Sequence, residues 1–365
     1  MQGYNLFMNL ERSVFMRKFI ALLLVALLMV AGLTTAWAQE EEKVLNLFTW
    51  ATYIDDATVA KFTEQTGIKV NYTNFESNEE MLLKLESAGT GYDVIIASDY
   101  AINSLREQDK LLKLDKALLP NYGNLDPDFL GQYYDEQNEY AVPYTAGTPL
   151  IVYDPATVDP EVEITGYESL WDERLKDSVV VMDDARNIIG ITLKTLGHSF
   201  NTTDDAVLKQ AKEKLFKLRP NIRAFNYSNP YADLLSGEAT VGYMFTSQVM
   251  VALDGNPDLK VVYPKEGMGF GIDNLVIVKD APHPGNAHML INFLLDSEVA
   301  ANTAAMQYYL SPVATAYDLM PEALRNNPAI NIPKDILGDT EFIRNLGEYD
   351  SVYQTIWSEF KLLSK

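Results

Sequence analysis

Between Val44 and Tyr100 the chain alternates short apolar runs with amphipathic ones in the order strand, helix, strand, helix, strand. That alternation leaves few folds open, because the crossover helices of parallel strands must pack on the faces of one sheet. The first strand, Val44-Leu45-Asn46-Leu47-Phe48-Thr49-Trp50, ends on an aromatic. The third, Asp93-Val94-Ile95-Ile96-Ala97, runs into Ser98-Asp99-Tyr100. In an open α/β sheet a small molecule binds beyond the carboxyl ends of the strands. Trp50, Tyr53, Ser98 and Tyr100 are therefore the first candidate contacts. The helix expected over residues 57–65 is bracketed by Asp55-Asp56 and by Gly67, which are preferred cap residues. Val59 and Phe62 share its inner face. A strand over 68–72 and a helix from Asn78, with Met81, Leu82 and Leu85 inward, complete the unit.

This unit follows an export signal. Met16-Arg17-Lys18 is a basic start, residues 19–30 are almost unbroken apolar sequence, and Ala36-Trp37-Ala38 is a small-x-small cleavage pattern. The expected start is Met16 and the expected cleavage is near Ala38. The apolar stretch is short of the roughly 20 residues of a membrane span, and no later run reaches that length. The chain has no cysteine, so it can form no disulfide, thiolate nucleophile or cysteine-linked lipid anchor. A freely diffusing periplasmic protein is expected, with a core large enough to need no cross-link. His198, His283 and His288 lack metal-site spacing, and nothing implies a metal or a cofactor. Cleavage removes Glu11, Arg12, Arg17 and Lys18 and leaves 26 basic against 50 acidic residues, a net charge of −24. Such a body disfavours nucleic acid and anionic membranes and favours cationic solutes.

About 327 mature residues exceed what one core usually holds, so two lobes are expected. The second begins after Tyr144-Thr145-Ala146-Gly147-Thr148-Pro149. Its strands are read over 150–153, 179–182, 241–245 and 260–263, and its helices over 205–217 and 231–235. Gly267-Met268-Gly269-Phe270-Gly271 is read as a glycine-rich turn before a strand at 274–278. It leads into a strand rather than a helix, so it is no phosphate cradle but a crossover between lobes. Helices over 288–295 and 351–363 close the pattern. One lobe is expected to comprise residues 42–147 and 272–318, the other 148–271 and 319–365.

Several segments together resemble the spermidine/putrescine-binding proteins of ABC transporters. They are Phe48-Thr49-Trp50-Ala51-Thr52-Tyr53, Thr66-Gly67-Ile68-Lys69-Val70, Phe75-Glu76-Ser77-Asn78-Glu79, Asp183-Asp184-Ala185-Arg186, Tyr263-Pro264-Lys265-Glu266-Gly267 and Ile291-Asn292-Phe293-Leu294-Leu295. The resemblance implies a two-lobe periplasmic-binding-protein fold of the α/β class, a clamshell with interlobe crossovers. It implies a monomeric receptor, not an enzyme, that delivers a small amine to ABC transporter permease subunits. Carried over residue by residue, it places Trp50, Tyr53, Tyr100 and Tyr309 as cleft aromatics and Ser98 as a polar contact. It assigns Asp184 and Asp273 to the ammonium groups, with the other residue of the Asp183-Asp184 pair left to cap the next helix.

The same carry-over exposes departures. Phe245 stands where the family has Trp, Thr52 and Asn187 where spermidine binders carry Glu, and Gly271 where a cleft Trp is usual. Arg344 falls near an amide contact. Each desolvated ammonium of a polyamine needs a counter-charge. The lost acids therefore point away from spermidine, toward a shorter diamine, a monoamine, or a zwitterion such as an amino acid or aminophosphonate whose acid end pairs with Arg344. An exported hydrolase using Asp184 and Asp273 as an acid/base pair is the reading from another class; no nucleophile elbow or metal cluster accompanies it.

Overall fold

The computed structural model describes residues 41–88, 91–338 and 340–363, so the export segment lies outside the described residues. Strand β1 (Val44–Trp50) leads through helix α1 (Asp56–Thr66) to β2 (Lys69–Phe75), then through α2 (Asn78–Ala88) to β3 (Val94–Ser98). β1 pairs in parallel with both β2 and β3. The Asp55 side chain caps α1 by accepting from the Thr58 amide, and Gly67 ends it at φ 74°. Only a residue without a Cβ takes that left-handed conformation freely. Phe62 is fully buried on the inner face of α1, and burying such a ring contributes about 2 kcal/mol.

Helix α3 (Asp99–Glu107) starts directly at the end of β3, and a long stretch of turns and 3-10 segments leads to β4 (Ala141–Gly147). β4 passes at Thr148 into β5 (Pro149–Tyr153), which belongs to a second sheet. That sheet also holds β6 (Val179–Val181), β7 (Ile222–Phe225), β8 (Val241–Phe245) and β9 (Lys260–Val262), in the order β7-β6-β8-β5-β9. Helices α4 (Ala185–Thr195), α5 (Asp205–Leu218), α6 (Tyr231–Leu235) and α7 (Thr246–Gly255) lie between them in sequence. The chain then returns along β10 (Gly269–Ile277), which is antiparallel to both β3 and β4. The rest comprises α8 (Pro284–Leu294), α9 (Ser297–Gln307), α10 (Glu322–Arg325), α11 (Lys334–Gly338), β11 (Glu341–Phe342) and α12 (Tyr349–Leu362). β11 adds to β10 at the edge of the first sheet.

Two expectations change here. The glycine-rich segment is not a turn through Gly271: β10 already begins at Gly269, and Gly271 stands opposite Gly147 in the β4–β10 ladder. The outgoing and returning passages thus run side by side as one antiparallel ribbon, and the first sheet is mixed rather than all parallel. Thr148 ties the ribbon together, its hydroxyl donating to the Gly269 carbonyl at 2.6 Å while its own carbonyl accepts from the Thr246 hydroxyl at 2.7 Å. Further along, Asn201 holds the last return of the chain. Its Nδ2 donates to the Phe342 carbonyl (2.7 Å) and Glu341 (3.0 Å), and its Oδ1 accepts from the Arg344 amide (2.8 Å) and Arg186 (3.0 Å).

Candidate functional site

The carboxyl ends of β1, β2 and β3 gather the first group of side chains. Trp50 closes β1 with its ring 4.5 Å from Phe75, which closes β2, and 6.2 Å from Tyr53. Between them Thr52 turns at φ 65°, exposed, with its hydroxyl on the Ala51 carbonyl at 2.6 Å. The Tyr53 hydroxyl donates to Asp273 Oδ2 at 2.5 Å. Asp273 lies opposite Ser98 across the β3–β10 ladder, which is why a residue far off in sequence meets the first loop. The buried amide of Asn78 joins the group, donating to Ser98 Oγ (3.1 Å) and to the Tyr100 hydroxyl (2.8 Å). The Tyr100 hydroxyl in turn donates to Glu79 Oε1 at 3.2 Å.

The second sheet presents its own carboxyl ends. β6 runs into Asp183-Asp184, and the roles divide against expectation: Asp184 itself caps α4, accepting from the Asn187 amide at 2.9 Å. Asp183 instead accepts from Trp357 Nε1 (2.8 Å) and pairs with Lys361 (2.7 Å), so it is held by α12. Asp184 is half-buried and stands in no described ion pair, so capping leaves it able to meet a cation as well. Asn187 is 5 % exposed, and its Oδ1 has no hydrogen-bond partner. Phe245 closes β8, and the Tyr227 ring meets it edge-on at 6.0 Å. Gln248 locks this pair, accepting from the Phe245 amide and donating to the Tyr227 carbonyl. Tyr309 lies against the crossover ribbon, where a Cβ on Gly147 would stand 2.8 Å from its ring.

Charges of both groups act on common tyrosines. The Tyr227 side chain is 54 % exposed, yet burial around its hydroxyl raises it above its ordinary value, and the charges of Asp184, on the second sheet, and Asp273, on the first, add to the rise. Tyr100 is raised by burial, by Glu79 and also by Asp184. Tyr309 is pushed up to about 12 by burial, with Asp273 adding to it and a hydrogen bond with Ser247 opposing it. Asp273 and Asp184 are both raised by burial. Hydrogen bonds from Tyr53 and Ser98 pull the first back down, and the Asn187 backbone and side chain pull down the second. Neither carboxyl stands in a described ion pair, whereas Asp93 has His283 and Asp183 has Lys361.

Arg344 is placed differently. It is exposed, with its guanidinium 4.5 Å from the centre of the Tyr133 ring. The Tyr133 hydroxyl donates at 3.0 Å to Asp99, which also accepts from the Ile272 amide at 3.0 Å. Asp99 is 2 % exposed, and burial lifts it from 3.8 to about 7. A Cβ on Gly271 would come no nearer than 3.9 Å to this carboxylate. Trp50, Tyr53, Ser98, Tyr100 and Asp273 therefore gather at the first sheet, and Asp184, Asn187 and Phe245 at the second, with Tyr309 beside the ribbon. Thr52 turns to its own backbone and Arg344 to Tyr133. The sequence reading left out Asn78, Glu79 and Tyr227. The strand-end rule applied to β2 and β7 points to all three. Among the described residues no cluster of three or more acids and histidines could hold a metal ion, and no helix is long and apolar enough to cross a membrane.

Residues 57–332 match the family model described as bacterial extracellular solute-binding protein. Over 347 residues the chain is 34 % identical to the spermidine/putrescine-binding periplasmic protein of Salmonella typhimurium, covering 95 % of this chain and 99 % of that one. It is 33 % identical over 324 residues to the putrescine/cadaverine-binding protein of Pseudomonas aeruginosa, covering 83 % and 90 %. Among solved structures it resembles a spermidine/putrescine ABC transporter substrate-binding protein from Streptococcus pneumoniae. The TM-score there is 0.79 at 32 % identity, over 88 % of this chain and 99 % of that one.

Proposed function

The chain belongs to the bacterial extracellular solute-binding proteins, and we propose that it captures a short polyamine and delivers it to the membrane subunits of an ABC importer. Its relatives include proteins named for binding spermidine, putrescine and cadaverine. The observation that carries the reading is the pair Asp273 and Asp184. These two carboxyls from different sheets have no described ion pair; Asp273 accepts from the Tyr53 hydroxyl, the charges of both act on Tyr227, and that of Asp184 acts on Tyr100 as well. A half-buried carboxylate without a counter-ion gains by pairing with a cation. Aromatic faces attract a cation, and an apolar chain between two ammonium groups fits an aromatic slot.

The ligand is read as a diamine. One ammonium pairs with Asp273 and the other with Asp184, with the open Asn187 Oδ1 as a further acceptor. Thr52 and Asn187 supply no charge for a third ammonium. Arg344 lies over Tyr133, and no described contact brings it to Asp273 or Asp184, which removes the main support for a zwitterion. The lobes are read as residues 42–147 with 272–318, and 148–271 with 319–365; β11 reaches back to β10 from the second of these. The mature protein is read as a periplasmic monomer, a receptor rather than an enzyme.

A thermal-shift series with 1,4-diaminobutane, spermidine and γ-aminobutyrate tests this reading. Ligand at 100 times its Kd stabilises by about 2.7 kcal/mol, and the diamine should give the largest shift. Asp273→Ala leaves an ammonium desolvated and unpaired, a loss of about 3 kcal/mol or roughly a hundredfold in Kd. An Asp273→Ala protein that keeps the full diamine shift would remove Asp273 from the site, and a shift with the amino acid alone would replace the ligand class.

A further inference from the structure

We infer that Glu79, at the start of α2, adds a second negative charge at the Asp184 end of the site, and so makes the site select a diamine over a monoamine. The inference rests on the amine-binding reading above.

Three features of the structure lead to Glu79. It follows the carboxyl end of β2, in the first turn of the helix that crosses from β2 to β3, and β1, which ends on Trp50, lies between those two strands in the sheet. Its Oε1 accepts from the Tyr100 hydroxyl at 3.2 Å, and that hydroxyl also accepts from buried Asn78 at 2.8 Å. Tyr100 is therefore tethered at its tip by an acid and an amide, both from the first turn of α2. Glu79 also differs from its neighbour. Glu80 pairs with Lys84 at 2.7 Å and accepts from the Glu76 amide at 2.8 Å, whereas no described ion pair involves Glu79.

The charge of Asp184, across on the second sheet, also acts on Tyr100. The end of the cleft around Tyr100 is thus bordered by Glu79 on one sheet and by Asp184 on the other. The Asn187 Oδ1 beside Asp184 is buried and unpartnered. An ammonium there has two carboxylates and a neutral acceptor within its surroundings. A methyl group, the end of a monoamine, would meet the same polar atoms with nothing to donate. The diamine then has Asp273 at one end and the Glu79/Asp184 pair at the other. Glu79 is exposed, so its contribution is partly screened by salt.

The test uses the mature chain from Gln39 and its Glu79→Gln variant, which keeps the shape and an acceptor for Tyr100 but removes the charge. Calorimetry gives Kd for 1,4-diaminobutane directly and for 1-butylamine by displacement. The expected result is a loss of about tenfold or more for the diamine, the range of one charge-assisted hydrogen bond, with the monoamine changed less than about twofold. Glu79→Asp should recover much of the diamine affinity, and raising the salt should narrow the gap between wild type and Glu79→Gln. Equal loss for both amines would show that Glu79 only positions Tyr100 and would overturn the inference. Unchanged diamine affinity in Glu79→Gln would overturn it too. If the wild type itself binds no diamine, the amine reading fails first and takes the inference with it.

Discussion

At the scale of single residues, the acids were legible by type but not by task. The Asp183-Asp184 pair announced a cap and a ligand. Which residue did which depended on Trp357 and Lys361, from a helix some 170 residues away that local sequence cannot place. Asp99 shows the same limit. It stands between Ser98 and Tyr100 in sequence, yet its carboxylate is turned to the Ile272 amide and the Tyr133 hydroxyl, with Tyr134, Asp273 and Arg344 nearby. Its raised value has a consequence for stability. The folded protein holds the proton up to about pH 7, whereas an ordinary aspartate releases it near 3.8. The folded state binds more protons between those values, so this contribution is full below about 3.8 and is lost as pH rises through 7. The loss is on the order of 4 kcal/mol. Denaturant unfolding of the ligand-free protein from pH 5 to 8 should show falling stability, and Asp99→Asn should flatten the fall. Burial also raises Asp184 and Asp273, so some slope should remain. An identical slope in the variant would mean that Asp99 is ionised throughout.

At the scale of elements, the βαβαβ unit was readable because its strands and helices carry their own periods and caps. β4 was not. Ala141-Val142-Pro143-Tyr144-Thr145-Ala146-Gly147 contains a proline and ends on glycine, so it reads as a linker. It is a buried strand because β10 returns beside it, and a register shift between Asp273 and Asn274 lets the ladder pass Pro143. Helix α3 was missed for a related reason, since its first residues were read only as ligand contacts. The ribbon of β4 and β10 also sets the place of Tyr309, which lies where a side chain on Gly147 would be. Gly147→Ala should therefore displace that ring, at an overpacking cost of about 1–3 kcal/mol, and weaken amine binding. Adding Tyr309→Leu should restore the stability measured by denaturant but not the affinity measured by calorimetry. A Gly147→Ala protein with unchanged stability and Kd would mean that the ring moves aside freely.

At the scale of the whole molecule, two sheets joined by a paired crossover bring carboxyl ends of strands from both toward one space. That arrangement was legible from the sequence only through the resemblance, because no local pattern fixes how two sheets face each other. It explains why residues as distant as Tyr53, Asp184 and Asp273 act on common neighbours. It also turns the charge count into a selectivity. On the proposed reading Asp273 serves one ammonium group and Asp184 with Glu79 the other, while Thr52 and Asn187 leave the third ammonium of a triamine without a partner along the slot. The most direct measurement is titration calorimetry of the mature chain with 1,4-diaminobutane and with spermidine. The predicted result is saturable one-to-one binding of the diamine with no product formed, and spermidine weaker by at least about tenfold, less than the full cost of a desolvated unpaired ammonium because the third ammonium can stay partly in water. The triple change Thr52→Glu, Asn187→Glu and Arg344→Gln should then gain spermidine affinity. Sub-micromolar spermidine binding by the wild type, at or above the affinity for the diamine, would contradict the short-diamine assignment, and no saturable binding of either amine would contradict polyamine capture itself.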